Sequence, residues 1–167
     1  FVANSAHVRG RIGAFYGREA SVVHPPVDLE GFGPRTQRGD HYVVLGAPAP
    51  YKRLDLAVEA FRLLGRPLWV VGDGVGEGAG PSGLPAQAPS NVRFLGRVSD
   101  ADVAEILGTA RGLILPGVED FGIGVVEALA SGTPVVASGK EGCWTRSAPW
   151  RPLLPTSPPP ASSSASR

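Results

Sequence analysis

Apolar positions along the chain change their spacing several times, and each change marks an element. Val8, Ile12 and Phe15 recur at helical intervals after Asn4-Ser5, either of which can cap a helix there. Ala20 to His24 reads as a short strand stopped by Pro25-Pro26. Gly, Pro and charge then dominate from Val27 to Asp40, which predicts a linker or hinge. Beyond residue 41 the pattern alternates. Tyr42 to Gly46 is a continuous apolar strand, and Leu54, Val58, Phe61 and Leu64 form one face of a helix that Gly65 ends. Pro67 to Gly72 is a second strand, Val92 to Gly96 a third, Leu113 to Leu115 a fourth and Pro134 to Ala137 a fifth. Between them, Ser99 and Asp102 make a capping box for a helix running through Leu107 and Ala110, and Val125 to Ser131 reads as another helix.

Strands apolar on both faces and alternating with helices imply an α/β fold: a Rossmann-like parallel sheet with helices on both faces. In such sheets ligands bind beyond the carboxyl ends of the strands, where loops meet helix N-termini. The pattern predicts three stretches: an opening unit and linker over 1–40, a Rossmann-like domain over 41–140, and a tail over 141–167. No acidic residue follows Glu141, and Pro and Ser dominate from Pro152 to Arg167. Such a composition cannot bury enough apolar surface to offset chain entropy, so disorder is expected there. The change near Lys140 suggests a reading-frame shift or a truncated gene end.

Composition narrows the function. A formal net charge of +1 gives no field favouring nucleic acid or an anionic membrane. No apolar run approaches the ~20 residues needed to span a bilayer. The single cysteine, Cys143, excludes an internal disulfide and fits a reducing compartment. The chain has no Met and opens Phe1-Val2-Ala3-Asn4-Ser5, without the apolar core of a signal peptide. It reads as a piece of something longer. His7, His24 and His41 lie in different segments without ligand spacing, so no metal is expected.

Four constellations could carry chemistry. Lys52 and Arg53, in Pro50-Tyr51-Lys52-Arg53, are two cations at a helix N-terminus, where they oppose the helix dipole. A bound phosphate would explain the placement, and so would two solvated charges with Asp55 softening the repulsion. Pro116 to Glu127 joins a strand to a helix that starts near Gly122 or Ile123. Gly122 and Gly124 let backbone approach a ligand, while Glu119 and Glu127 suit the paired hydroxyls of a ribose or hexose. Ordinary acidic residues in a helix's first turn would look the same. Gly72 and Asp73 open Gly72-Asp73-Gly74-Val75-Gly76, which lacks the full dinucleotide fingerprint and fits a turn. The Gly96 to Asp100 segment, with Val98 and Asp100, could read a base edge or simply cap a helix.

In this order and spacing the four pieces resemble the family 4 glycosyltransferases, retaining enzymes of two Rossmann-like domains facing across a cleft (the GT-B fold). Glu119 and Glu127 look like that family's glutamates separated by seven residues, within Glu-Asp-Phe-Gly-Ile and Glu-Ala-Leu-Ala-Ser-Gly-Thr-Pro-Val-Val. Pro50 to Phe61 is similar to its pyrophosphate-binding segment, and Val70 to Gly74 and Asn91 to Val98 to its next two strand ends. Phe1 to Ser5 and Tyr16 to Asp28 resemble the crossing from acceptor domain to donor domain. The wording is most like bacterial mannosyltransferases that build O-antigen from GDP-mannose. One departure is Ala47, where many members carry an Arg six residues before the position of Arg53.

The resemblance implies roles. Lys52 and Arg53 would hold the donor diphosphate, helped by amides near Gly122, Ile123 and Gly124. Glu119 would contact the donor sugar and Glu127 the ribose, with the Val98 to Asp100 turn at the base and Gly72 and Asp73 at the neighbouring strand end. It further implies a nucleotide-diphosphate sugar as substrate and a glycan or lipid-linked acceptor held by an N-terminal domain. No cofactor, metal or nucleic acid partner is implied. The implied location is cytoplasmic, with or without peripheral attachment of the full-length enzyme to the inner face of the membrane. Alone, this half of a cleft is expected to bind donor and transfer little. The alternatives are an inactive or pseudogene-derived nucleotide-binding module and a relative using UDP- or ADP-sugars.

Overall fold

The computed structural model describes residues 1–47, 49–74 and 89–138. The expected tail over 141–167, with Lys140 and Cys143, and the Val75-Gly76 part of the glycine-rich turn lie outside them.

An opening unit consists of β1 (Val2–Ala3), α1 (Ala6–Tyr16) and β2 (Ser21–Val22), with β1 and β2 paired in parallel. Of the two capping candidates it is Ser5 that accepts from the Val8 amide. The predicted apolar face of α1 is only partly covered, since Phe15 and Tyr16 stand exposed. The strand expected over Ala20 to His24 shrinks to two residues, because β1 offers only two to pair with.

The main sheet is parallel throughout. Its strands β3 (Tyr42–Leu45), β4 (Leu68–Val71), β5 (Val92–Gly96), β6 (Gly112–Leu115) and β7 (Val135–Ala137) lie in the order β5-β4-β3-β6-β7. Alternation along each strand sends side chains to two cores. Val44, Leu68 and Val70 meet Leu54, Val58 and Phe61 of α2 (Leu54–Leu64) on one face. Val43, Val71 and Leu113 meet α3 (Asp100–Thr109) and α4 (Ile123–Ala130) on the other, where Leu107, Val125 and Ala128 are buried. The Ser99–Asp102 capping box forms as predicted, and Gly65 ends α2 at a φ of 65°. Leu64 leaves the predicted α2 face and is exposed, while Ala57 takes the buried place.

The stretch from Val27 to Asp40 contains neither strand nor helix, yet its second half is packed down. Phe32 joins the core on the α3 side. Arg35 pairs with Glu105 at 2.9 Å, and the Gly39 amide donates to the Thr109 carbonyl. Arg38 donates to the carbonyls of Ala110 and Gly132 and to the Thr133 hydroxyl.

Candidate functional site

Chain order reverses between β3 and β6, which are neighbours in the sheet although β4 and β5 come between them in sequence. The loops leaving those two strands part from each other and open a crevice. The loop after β3 turns through a single 3₁₀ turn, Pro50–Lys52, and the loop after β6 lies against it. The Val118 amide donates to the Tyr51 carbonyl at 3.1 Å. Contact is this close because residue 117 is glycine: a β-carbon there would fall onto the Tyr51 carbonyl and the Lys52 backbone.

That junction brings Lys52 and Glu119 together. The Lys52 Nζ lies 3.2 Å from the Glu119 Oε1, with side chains only 24% and 20% exposed. Beneath the ammonium, Gly46 leaves the room a β-carbon would take. Arg53, by contrast, adopts a left-handed backbone with φ of 52°. Its guanidinium forks onto Asp55 with three contacts of 2.9–3.3 Å, and both side chains are near half exposed. The hydrogen bond to Asp55, more than its charge, holds the Arg53 pKa above its ordinary value. The two cations predicted to act together are thus turned apart.

A cavity of about 400 Å³ lies over Lys52 and Glu119, lined also by Asn4, Tyr51, Gly122 and Gly124. The N-terminus of α4 enters it with little to satisfy it locally. Its cap, Gly122, has φ of 84° and supplies no side-chain hydrogen bond, and the first turn carries no acidic residue. Helix α3 differs: Ser99 caps it and Asp100 and Asp102 sit in its first turn. The α4 terminus therefore presents partial positive charge and open amides to the cavity, as an anion site would. At Gly124 a β-carbon would press on Leu45 at 3.3 Å, so glycine is what lets α4 approach β3.

A second cavity of about 510 Å³ adjoins the first over the ends of β4 and β5, and Gly46, Ile123 and Glu127 line both. Its walls include Val98, Asp100, Gly72 and Asp73 from the predicted set, together with Asp28 and Phe32 from the linker. Gly72 packs its α-carbon against the Gly46 carbonyl at φ of 152°, where no side chain fits. Asp73 reaches toward Arg97 at 3.6 Å across the exposed rim. Burial, with a smaller contribution from the charge of Asp100, pushes the Glu127 carboxyl above the ordinary carboxylate range.

Of the predicted residues, Lys52, Glu119, Gly122, Ile123, Gly124 and Glu127 share one cavity; Val98, Asp100, Gly72 and Asp73 join Glu127 in the next. Arg53 lines neither. Sequence reading had not assigned Asn4, Asp28 or Phe32 to the site; they come from the opening unit and the linker, which only the fold brings to the rim. The opening unit also touches the loop that carries Glu119. Arg11 pairs with Asp120 at 3.0 Å, and the His24 ring lies 5.5 Å from that of Phe121. Among the described residues no group of three or more His, Cys, Asp or Glu could hold a metal ion.

Comparison with known proteins gives one consistent result. The profile of the family described as Glycosyl transferases group 1 matches residues 40–146. D-rhamnosyltransferase WbpZ of Pseudomonas aeruginosa is 30% identical over 142 residues, covering 74% of this chain and 36% of its own. D-inositol 3-phosphate glycosyltransferase of Mycobacterium bovis is 36% identical over 140 residues, 72% of this chain and 29% of its own. The chain thus spans about a third of the length of these relatives. Among solved structures, AviGT4, a glycosyltransferase involved in avilamycin A biosynthesis, matches 85% of this chain and 44% of its own with a TM-score of 0.66 at 25% identity. TarM shares the fold, with a TM-score of 0.63 at 19% identity over 81% of this chain and 28% of its own.

Proposed function

The chain belongs to the group 1 glycosyl transferases, and on that premise we propose that its cleft holds a nucleoside-diphosphate sugar whose hexosyl group passes to a glycan or lipid-linked acceptor. One observation carries the reading: Lys52, Glu119 and the uncapped N-terminus of α4 converge on a cavity that shares the Glu127 wall with a second one over β4 and β5. A diphosphate fits between the ammonium and the helix amides. The donor sugar then lies at Glu119, the ribose hydroxyls at Glu127, and the base over the Val98 to Asp100 turn beside Gly72 and Asp73. Bond cleavage leaves an oxocarbenium-like sugar and a charged diphosphate, so catalysis is chiefly stabilisation of the leaving charge by Lys52 and the α4 amides. Arg53 joins them only by leaving Asp55. We assign GDP-mannose as donor, retention as the stereochemical course, and acceptor binding to a facing domain.

Calorimetric titration of GDP-mannose, UDP-glucose and ADP-glucose tests the assignment. GDP-mannose is expected to bind tightest, and Lys52→Ala to weaken it roughly 10- to 100-fold, the worth of a charge-assisted hydrogen bond. Equal affinity for the three donors would remove GDP-mannose. Unchanged binding by Lys52→Ala would remove the diphosphate site.

A further inference from the structure

We propose that the Lys52–Glu119 ion pair makes the site discriminate between an intact nucleotide-sugar and a bare nucleoside diphosphate. The inference rests on the cleft being a donor site and concerns how these two residues act on each other.

The geometry sets up a competition. Lys52 is the cation that a diphosphate would seek, and its ammonium already lies 3.2 Å from the Glu119 carboxylate. With both side chains about four-fifths covered, bulk water screens the pair poorly. Three features fix its placement: the Val118–Tyr51 hydrogen bond, the close backbone approach at Gly117, and the space over Gly46. The backbone that carries the two groups is thereby held, and they start from contact. An incoming diphosphate must therefore share Lys52 with Glu119 and accept a carboxylate as its neighbour, a like-charge contact that costs affinity.

A donor that carries its sugar meets a different balance. Its hydroxyls donate hydrogen bonds to Glu119, so the carboxylate keeps partners when Lys52 turns to the phosphates. The product diphosphate has no such hydroxyls at that point and meets the repulsion uncompensated. Glu119 thus holds the donor and helps expel the product, through one lysine.

Calorimetry with GDP and GDP-mannose on Glu119→Gln, Lys52→Ala and the double variant, each checked for fold by circular dichroism, decides the matter. Glu119→Gln keeps the shape and removes the charge. It is expected to bind GDP about tenfold more tightly than the wild type, while GDP-mannose gains less or loses affinity. In the Lys52→Ala background the same substitution should bring a smaller gain, because the like-charge contact is still relieved but no lysine is freed. GDP affinity that is unchanged or weaker in Glu119→Gln overturns the proposal, as does an equal gain in both backgrounds. GDP binding that Lys52→Ala weakens but Glu119→Gln leaves alone overturns only the discrimination. Binding of neither GDP nor GDP-mannose by the wild type overturns the donor-site reading with it.

Discussion

Gly117 holds the cleft together by having no side chain. The loop after β6 reaches the 3₁₀ turn of Pro50–Lys52 only because hydrogen stands where a β-carbon would meet the Tyr51 carbonyl and the Lys52 backbone. Backbone cannot shift as a flexible side chain can, so the cost of intrusion falls on the turn itself. Gly117→Ala is expected to lose about 1–3 kcal/mol in urea denaturation, the usual range for overpacking. Nucleotide binding should weaken as well, because Lys52 is carried on the displaced turn. Full stability with full binding would show that the two loops are not in contact. Nothing in the sequence marked this glycine off from its neighbours at 122 and 124. Nor could the sequence separate Lys52 from Arg53. Adjacent cations look alike in a string of letters, and their divergence comes from one backbone angle, the positive φ at Arg53 that aims its guanidinium at Asp55. Glu119 was legible because a strand end and a helix start fix where the loop residues between them lie, and Glu127 because it stands about one turn inside that helix.

The strands at the centre of the main sheet could be read directly because parallel strands covered on both sides leave continuous apolar runs, and β3, β4 and β6 are such runs, whereas the edge strands β5 and β7 expose Arg93 and Val136. The opening unit was harder. Its helix α1 shows apolar spacing yet buries no residue completely, so periodicity there overstated packing. What no pattern announced is the residue that leads into β3. His41 is buried, stacks on Trp69 with ring centroids 3.8 Å apart, and its Nε2 lies 3.2 Å from the Ile106 carbonyl. Burial lowers its pKa below the ordinary value near 6.5, and the Ile106 bond offsets this only in part. A histidine whose folded pKa is depressed contributes stability above its unfolded value, and that contribution is lost as pH falls through the folded one. The urea midpoint should therefore drop between pH 7.5 and pH 5. His41→Phe, which keeps an aromatic ring on Trp69, should flatten that slope. Glu127 works in the opposite sense, since its raised pKa favours the folded state at lower pH. The difference between the two proteins isolates His41, and identical slopes would show that it stays uncharged for another reason.

Across the whole molecule, the linker is the part whose contacts the sequence showed least. Gly, Pro and charge from Val27 to Asp40 predicted a hinge, and composition could say no more, because its contacts are made by side chains far away in sequence. Asp28 and Phe32 line the cleft, and from there the chain runs beside α3 to the opposite end of the strands, where it enters the central strand β3. Arg35 meets Glu105 on the way. At that end Arg38 ties three pieces of chain together. Its Nη1 donates to the Ala110 carbonyl at 3.0 Å and the Thr133 hydroxyl at 2.9 Å, and its Nη2 to the Gly132 carbonyl at 2.8 Å. The end of α3, the turn before β7 and the linker thus share one guanidinium. Arg38→Ala should cost about 1–3 kcal/mol, the range for leaving partly buried carbonyls without a charged donor. Hydrogen exchange locates the loss: the Gly39 amide, bonded to Thr109, should exchange much faster, while that of Val43 in the centre of the sheet changes only with global stability. Equal acceleration at both sites would mean that Arg38 serves the fold as a whole rather than pinning the linker, and the full stretch to Asp40 would then be free to act as the hinge.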